Sequence, residues 1–295
     1  MGKIAFVFAG QGAQTPGMGK DLYDNFPAAQ KIFDTAEEIR PGIKELCFSG
    51  SREDLNETIN AQPALFCVDL AYAKVLQGKG ITADGTAGFS LGEVPAAAFS
   101  GVMSTETAFR FVCKRAEFMD ECAKKTKGEM LAVLKLEAAE VENICKQFDG
   151  AYAVNYNCPG QTVVAVKSKI ANELTETVAK SGGRVIKIAA KGLFHSPYME
   201  SASEKIKEYL KTVTIFEPEI PLYSNFSAGI YTYDIVKTLL SNQISNPVLW
   251  QKEIENMIAA GFERFIECGP GKVLTGLIGK INTKVTAVHA NEFIN

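Results

Sequence analysis

The sequence predicts an α/β fold in which a large unit with a parallel sheet carries a smaller, inserted unit. Short apolar runs alternate with helical patterns towards both ends of the chain, as expected for a parallel sheet covered by helices. Between them, four strand patterns and two helical patterns follow the order βαββαβ, which is typical of a ferredoxin-like unit. A chain of 295 residues is long enough to bury one large core and a second, smaller one.

The first part of the large unit is predicted at 1–126. A buried strand at 3–8 leads into a glycine-rich loop at 9–17, because the apolar run stops where the glycines begin. Helical patterns are expected at about 28–39, 62–78 and 105–124, and a short strand at 85–89.

The inserted unit is predicted at 127–191, where strand patterns become more frequent. Its strands are expected at 129–135, 151–156, 162–167 and 184–189, and its helices at 137–148 and 168–181.

The large unit is predicted to resume at 192–295, where apolar strands again alternate with helical patterns. Helices are expected at about 197–211, 233–243, 247–260 and from 272, and strands near 220–224, 262–267 and 285–289.

Composition and charge argue against several classes of protein. A formal net charge of −3 gives no reason to expect nucleic acid as a partner. No run of about 18 apolar residues and no secretory signal pattern occurs, so we expect a cytoplasmic protein without a membrane span. Seven cysteines without Cys-x-x-Cys spacing favour reduced thiols over disulfides or a metal site. No dinucleotide or phosphate-loop motif is complete, so we expect no cofactor. The sequence does not indicate an oligomeric state, and a monomer is the default expectation.

The strongest local signal for chemistry is the single Gly-x-Ser-x-Gly pattern, at 88–92. A strand is predicted before Ser90 and a helix after it, and such a sharp turn exposes a serine hydroxyl. Glycines on both sides allow the turn to close, and the following helix N-terminus favours a developing oxyanion. The alternative is an ordinary glycine-bounded loop, since the pattern alone is common.

A serine nucleophile needs a base, and the chain has only two histidines. His195 precedes Ser196 and Pro197, which predict a helix start, and this helix N-terminus would keep the imidazole neutral. His195 is therefore the candidate base, although it could also be a loop residue with local hydrogen bonds only. His289 lies within a late strand pattern and is interpreted as structural.

Taken together, these residues resemble the malonyl-CoA:acyl carrier protein transacylases of fatty-acid and polyketide synthesis. The resemblance extends over about 3–292, and the order and spacing of the motifs make it more specific than any single one. The matching segments are FAGQGAQ at 8–14, GFSLGE at 88–93, Arg115 with Met119, NYNCPGQ at 155–161, FHSPYM at 194–199, Gln243 before NPVLW at 246–250, and GPGKVL at 269–274.

The resemblance implies an α/β-hydrolase-like large domain with a ferredoxin-like insert, and a Ser–His dyad in place of a triad. Ser90 would attack the thioester and His195 would act as base and then as acid. The backbone carbonyl of Gln243 would orient the imidazole. The backbone N–H groups of Gln11 and Leu91 would form the oxyanion hole, although Gln11 could also be only a turn residue.

The resemblance also assigns substrate choice to Arg115, which lies in a mostly apolar helical pattern. A guanidinium binds a carboxylate through two parallel hydrogen bonds and stays charged at any working pH. Malonyl-CoA, with its free carboxylate, and a phosphopantetheinylated acyl carrier protein are the implied partners. Phe194 matches the pattern of members that prefer malonyl groups. The alternative for Arg115 is a surface ion pair, a role that Lys114 suits better.

Three features of the sequence leave questions open. Members of the family usually carry histidine where this chain has Phe89, which changes the surroundings of Ser90 but not the dyad. Asn155, Asn157 and Gln161 would line a cleft between the domains or simply close a hairpin. Arg184, Lys187 and Lys191 would form a basic rim that attracts an acidic carrier protein, or a solvated strand face.

Three rival functions remain at the level of sequence. A thioester hydrolase on the same fold would have no need of Arg115. A patatin-like lipase with a Ser–Asp dyad would leave His195 unexplained. A non-catalytic scaffold that binds a carrier protein would not need Ser90, His195 and Arg115 together, but Phe89 is compatible with it.

Overall fold

The computed structural model describes residues 2–190 and 192–294, so Lys191 of the predicted basic rim lies outside the described residues. Its eight strands form two sheets of four strands each. The strands are β1 (Lys3–Phe8), β2 (Gly85–Gly88), β3 (Gly128–Leu134), β4 (Ala151–Cys158), β5 (Gln161–Lys167), β6 (Arg184–Ile188), β7 (Phe262–Cys268) and β8 (Thr286–His289).

Helices cover the sheets and connect the strands. The α-helices are α1 (Lys20–Asn25), α2 (Pro27–Ile39), α3 (Ile43–Ser49), α4 (Arg52–Asn56), α5 (Thr58–Gly78), α6 (Glu93–Phe99), α7 (Thr105–Ala123), α8 (Ala138–Cys145), α9 (Ala171–Lys180), α10 (Glu200–Leu210), α11 (Val236–Asn242), α12 (Trp250–Ala259), α13 (Val273–Ile281) and α14 (Asn291–Ile294). Short 3₁₀ turns occur at Ser90–Gly92, Ser168–Ile170, Pro197–Met199 and Gln243–Ser245.

The first sheet is parallel and has the order β2-β1-β7-β8. The apolar run of β1 is buried on both faces, as parallel strands between helices require. Residues Ala5 to Phe8 are completely buried, and α5 lies against this core with nearly all of its residues buried. Because β1 and β2 are parallel neighbours, the loops after both strands emerge at the same edge of the sheet, where ligands bind in open α/β sheets.

The second sheet is antiparallel, with the order β4-β5-β3-β6 and helices α8 and α9 in the succession βαββαβ. The prediction of an α/β fold with a parallel sheet and a ferredoxin-like insert is therefore confirmed. The second sheet also touches the large unit, since Tyr156 N donates to Val248 O at 2.9 Å and Val248 N donates to Val154 O at 2.8 Å.

The segment at 220–224 differs from the predicted strand, because it forms only isolated bridges, from Leu222 to Thr86 and from Tyr223 to Ile230. Pro221 has no N–H to donate, which prevents a regular ladder on that side of β2. The segment nevertheless runs beside β2, since Thr86 N donates to Pro221 O at 2.8 Å and Tyr223 N donates to Thr86 O at 2.9 Å.

Candidate active site

The Gly-x-Ser-x-Gly segment forms a tight turn between β2 and α6. Ser90 has a φ of 53°, in the left-handed region that a residue with a side chain rarely adopts. A Cβ atom on Gly88 would lie 2.0 Å from the backbone of Gly92, and one on Gly92 would lie 2.2 Å from Phe8 O. Both glycines are therefore required by close backbone approach, and the turn presents the Ser90 hydroxyl at the edge of the sheet.

His195 lies against this serine, although 105 residues separate the two in sequence. The Ser90 Oγ and His195 Nε2 atoms are 2.7 Å apart. On the other side of the ring, Nδ1 is 2.9 Å from Gln243 O and 3.3 Å from Asn246 O. Because carbonyls only accept hydrogen bonds, Nδ1 carries the proton and Nε2 is free to accept one from Ser90.

The surroundings of His195 keep its imidazole neutral. The ring is buried, and this burial, helped by the positive charge of Arg115, lowers the pKa of His195 from 6.5 to about 4. The two backbone carbonyls at Nδ1 oppose this shift only partly. A neutral imidazole in contact with a hydroxyl is the protonation state that a general base needs.

Arg115, on α7, points into the same site and is one of the largest fully buried side chains. Its Nη1 donates to Gln62 Oε1 at 2.6 Å, and its Nη2 donates to Gln243 Oε1 at 2.8 Å and reaches Ser90 Oγ at 3.4 Å. Among the described residues no carboxylate forms an ion pair with it, and burial lowers its pKa to about 10. Lys114, in contrast, pairs with Glu117 at the surface.

The backbone around Gln11 lies beside the serine turn, which contains Leu91. A Cβ atom on Gly10 would come within 2.7 Å of Phe89 O, so the loop after β1 touches the residue before Ser90. The Gln11 side chain is held by Thr58 Oγ1 at 3.3 Å. Within the described part of the chain, neither the Gln11 N–H nor the Leu91 N–H donates to an acceptor, as an oxyanion hole would require.

A buried polar network behind the serine was not predicted from the sequence. The Gln243 side chain donates to Ser90 O at 2.6 Å and to Glu93 Oε2 at 3.0 Å. Glu93 also accepts from Tyr231 Oη and from the backbone N–H of Asn225. Burial raises the pKa of Glu93 to about 7. Gln243 thus connects the imidazole, the serine and the guanidinium, through its backbone and its side chain together.

Phe89, which precedes Ser90, and the asparagines of β4 have different surroundings. The half-buried Phe89 ring packs edge-on against Trp250, with ring centroids 5.5 Å apart. Asn155 and Asn157 are buried, and their Oδ1 atoms have no partner in the described part of the molecule. Asn155 bridges to Val248, which places these amides where the second sheet meets the large unit.

The remaining candidates have structural surroundings. His289 Nε2 lies 2.7 Å from Gly269 O, and its Nδ1 accepts from Asn291 N at 3.1 Å, which agrees with a structural histidine.

All seven cysteines are free thiols. Within residues 2–190 and 192–294, no three His, Cys, Asp or Glu side chains cluster as metal ligands would, and no helix has the length and apolar character to cross a membrane.

Comparison with known proteins shows first which class of protein this chain belongs to. The model of the acyl transferase domain family matches residues 5–289, nearly the whole chain. The chain is 39% identical to the malonyl CoA-acyl carrier protein transacylase of Bacillus subtilis strain 168 over 300 residues, covering 99% of this chain and 94% of that protein.

Solved structures give the same result. The malonyl CoA-acyl carrier protein transacylase of Clostridium perfringens superposes with a TM-score of 0.93 at 35% identity, over 97% of this chain and 92% of that one. A malonyl-transacylase solved in complex with its type II PKS acyl-carrier protein has a TM-score of 0.94 at 30% identity, over 97% and 95%. The chain belongs to the family of malonyl-CoA:acyl carrier protein transacylases, which are acyltransferase enzymes.

Proposed function

We propose that the protein transfers a malonyl group from malonyl-CoA to the phosphopantetheine thiol of an acyl carrier protein, through an ester on Ser90. One observation carries this proposal: the Ser90 hydroxyl lies 2.7 Å from a neutral imidazole and 3.4 Å from a buried guanidinium that has no carboxylate partner among residues 2–190 and 192–294. A nucleophile, a base and a carboxylate receptor therefore converge on one oxygen atom. The names of the relatives support the same reaction.

In the first half-reaction, Ser90 Oγ bonds to the thioester carbonyl carbon while His195 Nε2 takes the hydroxyl proton. The carbonyl oxygen becomes an oxyanion that accepts from the N–H groups of Gln11 and Leu91. The C–S bond then breaks, and the coenzyme A sulfur leaves with the proton from the imidazolium. In the second half-reaction the carrier thiol gives its proton to His195 and its sulfur bonds to the carbonyl carbon of the malonyl ester. The C–O bond to Ser90 then breaks, and the imidazolium returns the proton to Ser90 Oγ.

Arg115 selects the acyl group in this scheme. Its guanidinium already has two amide oxygens as partners, so a malonyl carboxylate adds the missing negative charge. A neutral acyl group supplies no carboxylate to pair with the buried guanidinium, which disfavours acetyl transfer. The same carboxylate contact fixes the position of the thioester over Ser90.

The division into a large domain at 1–126 and 192–295 and a small domain at 127–191 is part of the proposal. It is supported by the second sheet, whose strands all come from Gly128 to Ile188. A cytoplasmic, monomeric enzyme without nucleic-acid or membrane partners stays a prediction from the sequence.

Intact-protein mass spectrometry tests the proposal, after incubation with malonyl-CoA and then with a phosphopantetheinylated carrier protein. The wild type and the control Ser203→Ala, a change at another buried serine, should form a malonyl adduct and pass it on. Ser90→Ala should form none, and acetyl-CoA should label the wild type far less. An adduct lost only to water would make the protein a hydrolase, and no adduct with any thioester would make it a scaffold.

A further inference from the structure

A buried asparagine, Asn225, lies directly beside the serine turn and has no place in the dyad, the oxyanion hole or the carboxylate receptor. It follows the segment that runs along β2, where Tyr223 N donates to Thr86 O at 2.9 Å. This pairing brings the chain to the end of β2 just as the turn begins. Asn225 is completely buried.

The Asn225 amide spans the turn by bonding to both of its sides. Its Nδ2 donates to Gly88 O at 2.7 Å, and its Oδ1 accepts from Ser90 N at 2.7 Å. One planar side chain therefore holds the residue before Phe89 and the residue after it. The backbone of Ser90 is strained at this point, with a φ of 53°, and needs such external restraint to persist.

The remaining hydrogen-bonding capacity of this amide is also used. Nδ2 donates its second proton to Glu253 Oε2 at 2.8 Å. Oδ1 lies 3.2 Å from Gln243 Nε2, whose two protons are shared among Ser90 O, Glu93 Oε2 and Asn225 Oδ1. Turning the amide over would place its oxygen against Gly88 O and its nitrogen against Ser90 N, so these two backbone groups fix its orientation. The backbone on both sides of the side chain is held as well, because Asn225 N donates to Glu93 Oε2 and Leu249 N donates to Asn225 O.

We infer that Asn225 is a positioning residue for the nucleophile: it holds the turn in the one conformation that directs both the Ser90 hydroxyl and the Leu91 N–H at the thioester. This inference rests on the proposed role of Ser90. Asn225 touches neither the acyl group nor the imidazole in this scheme, so its loss should slow formation of the acyl-serine and leave substrate affinity nearly unchanged.

The test compares Asn225→Ala, which removes both contacts, with Asn225→Leu, which has almost the same shape but can neither donate to Gly88 O nor accept from Ser90 N. Both should lower the rate of Ser90 acylation at saturating malonyl-CoA by roughly 100-fold, similar to the loss of one oxyanion-hole donor. Binding of malonyl-CoA, measured by calorimetry with Ser90→Ala as the common background, should change by less than about threefold. Asn256→Ala is the matched control, because it removes an amide-to-carbonyl bond to Ala228 in the following turn.

A sulfonyl fluoride that modifies activated serines separates this inference from the proposed function. If the wild type reacts with the reagent but not with malonyl-CoA, the malonyl assignment fails, and the reagent rates of the Asn225 variants still decide the inference. A folded Asn225 variant that acylates, or reacts with the reagent, within about threefold of the wild type would overturn it. So would a loss of acylation matched by an equal loss of affinity.

Discussion

Replacing Arg115 by glutamine should abolish the preference for malonyl over acetyl groups while leaving the serine reactive. Glutamine keeps a donor for the oxygens of Gln62 or Gln243 but carries no charge for a carboxylate. Because the guanidinium has no carboxylate partner among the described residues, its charge is available to the substrate.

The magnitude follows from the burial of this charge. Burial lowers the pKa of Arg115 from 12.5 to about 10 even though the charge of Glu93 opposes the shift, so the buried guanidinium has a net cost of roughly 3 kcal/mol. A malonyl carboxylate that pairs with the guanidinium offsets this penalty, and an acetyl group does not. The preference for malonyl-CoA should therefore be about 100-fold, since each 1.4 kcal/mol is about tenfold.

The assay is kcat/KM for malonyl-CoA and for acetyl-CoA, each with the same carrier protein. Arg115→Gln should lose about 100-fold with malonyl-CoA and little with acetyl-CoA, whereas Arg115→Lys should fall between it and the wild type because it keeps the charge without the planar fork. Arg110→Gln is the control, since Arg110 lies on the same helix but pairs with Glu106 at the surface. If folded Arg115→Gln keeps the wild-type ratio of the two constants, the carboxylate is held elsewhere and the reasoning is wrong.

Two further predictions concern the base and the loop after β1. The pKa of His195 is lowered to about 4 and only the neutral ring accepts a proton, so kcat/KM for malonyl-CoA should keep most of its neutral-pH value at pH 5.5 and fall only near pH 4. An acid limb near pH 6.5 in the pH profile would show that the ring is not held neutral. Gly10→Ala should slow Ser90 acylation at least about tenfold, because the added Cβ would lie 2.7 Å from Phe89 O. Gly276→Ala, with nothing within 4 Å of its Cβ position, is the control, and equal rates for the two variants in stopped-flow assays would refute the close approach.

The regular elements of the fold could be predicted because their signals are local. The apolar run at 3–8 and the β-branched run of β5 give strands at the expected places. The short helices α1, α3 and α4 were not predicted, because five to seven residues contain too few turns to show an apolar periodicity. The segment at 220–224 was wrongly predicted as a strand. Its composition suits a strand, but it does not show that the pairing is limited to isolated bridges.

The serine and its neighbours in sequence could also be placed in advance, but the network behind them could not. Asn225 stands among Tyr, Ser and Phe in a segment with the composition of an ordinary loop, and only the tertiary fold brings it to Gly88. Glu253 did leave a signal in the sequence. It lies on the apolar stripe of α12 formed by Trp250, Ile254 and Met257, and a carboxylate on such a stripe indicates a buried polar partner.

The order of strands in the parallel sheet has a consequence for synthesis of the chain. The first strand to be synthesised, β1, lies between β2 and β7 in the sheet. In the sequence, β2 begins only at Gly85 and β7 only at Phe262. A nascent chain that has emerged only as far as residue 190 contains Ser90 but neither His195 nor the carbonyl of Gln243. Long sequence separations of this kind make folding slow. In the proposed mechanism, Ser90 therefore meets its base only late in translation, and a product truncated before His195 should carry an unreactive serine.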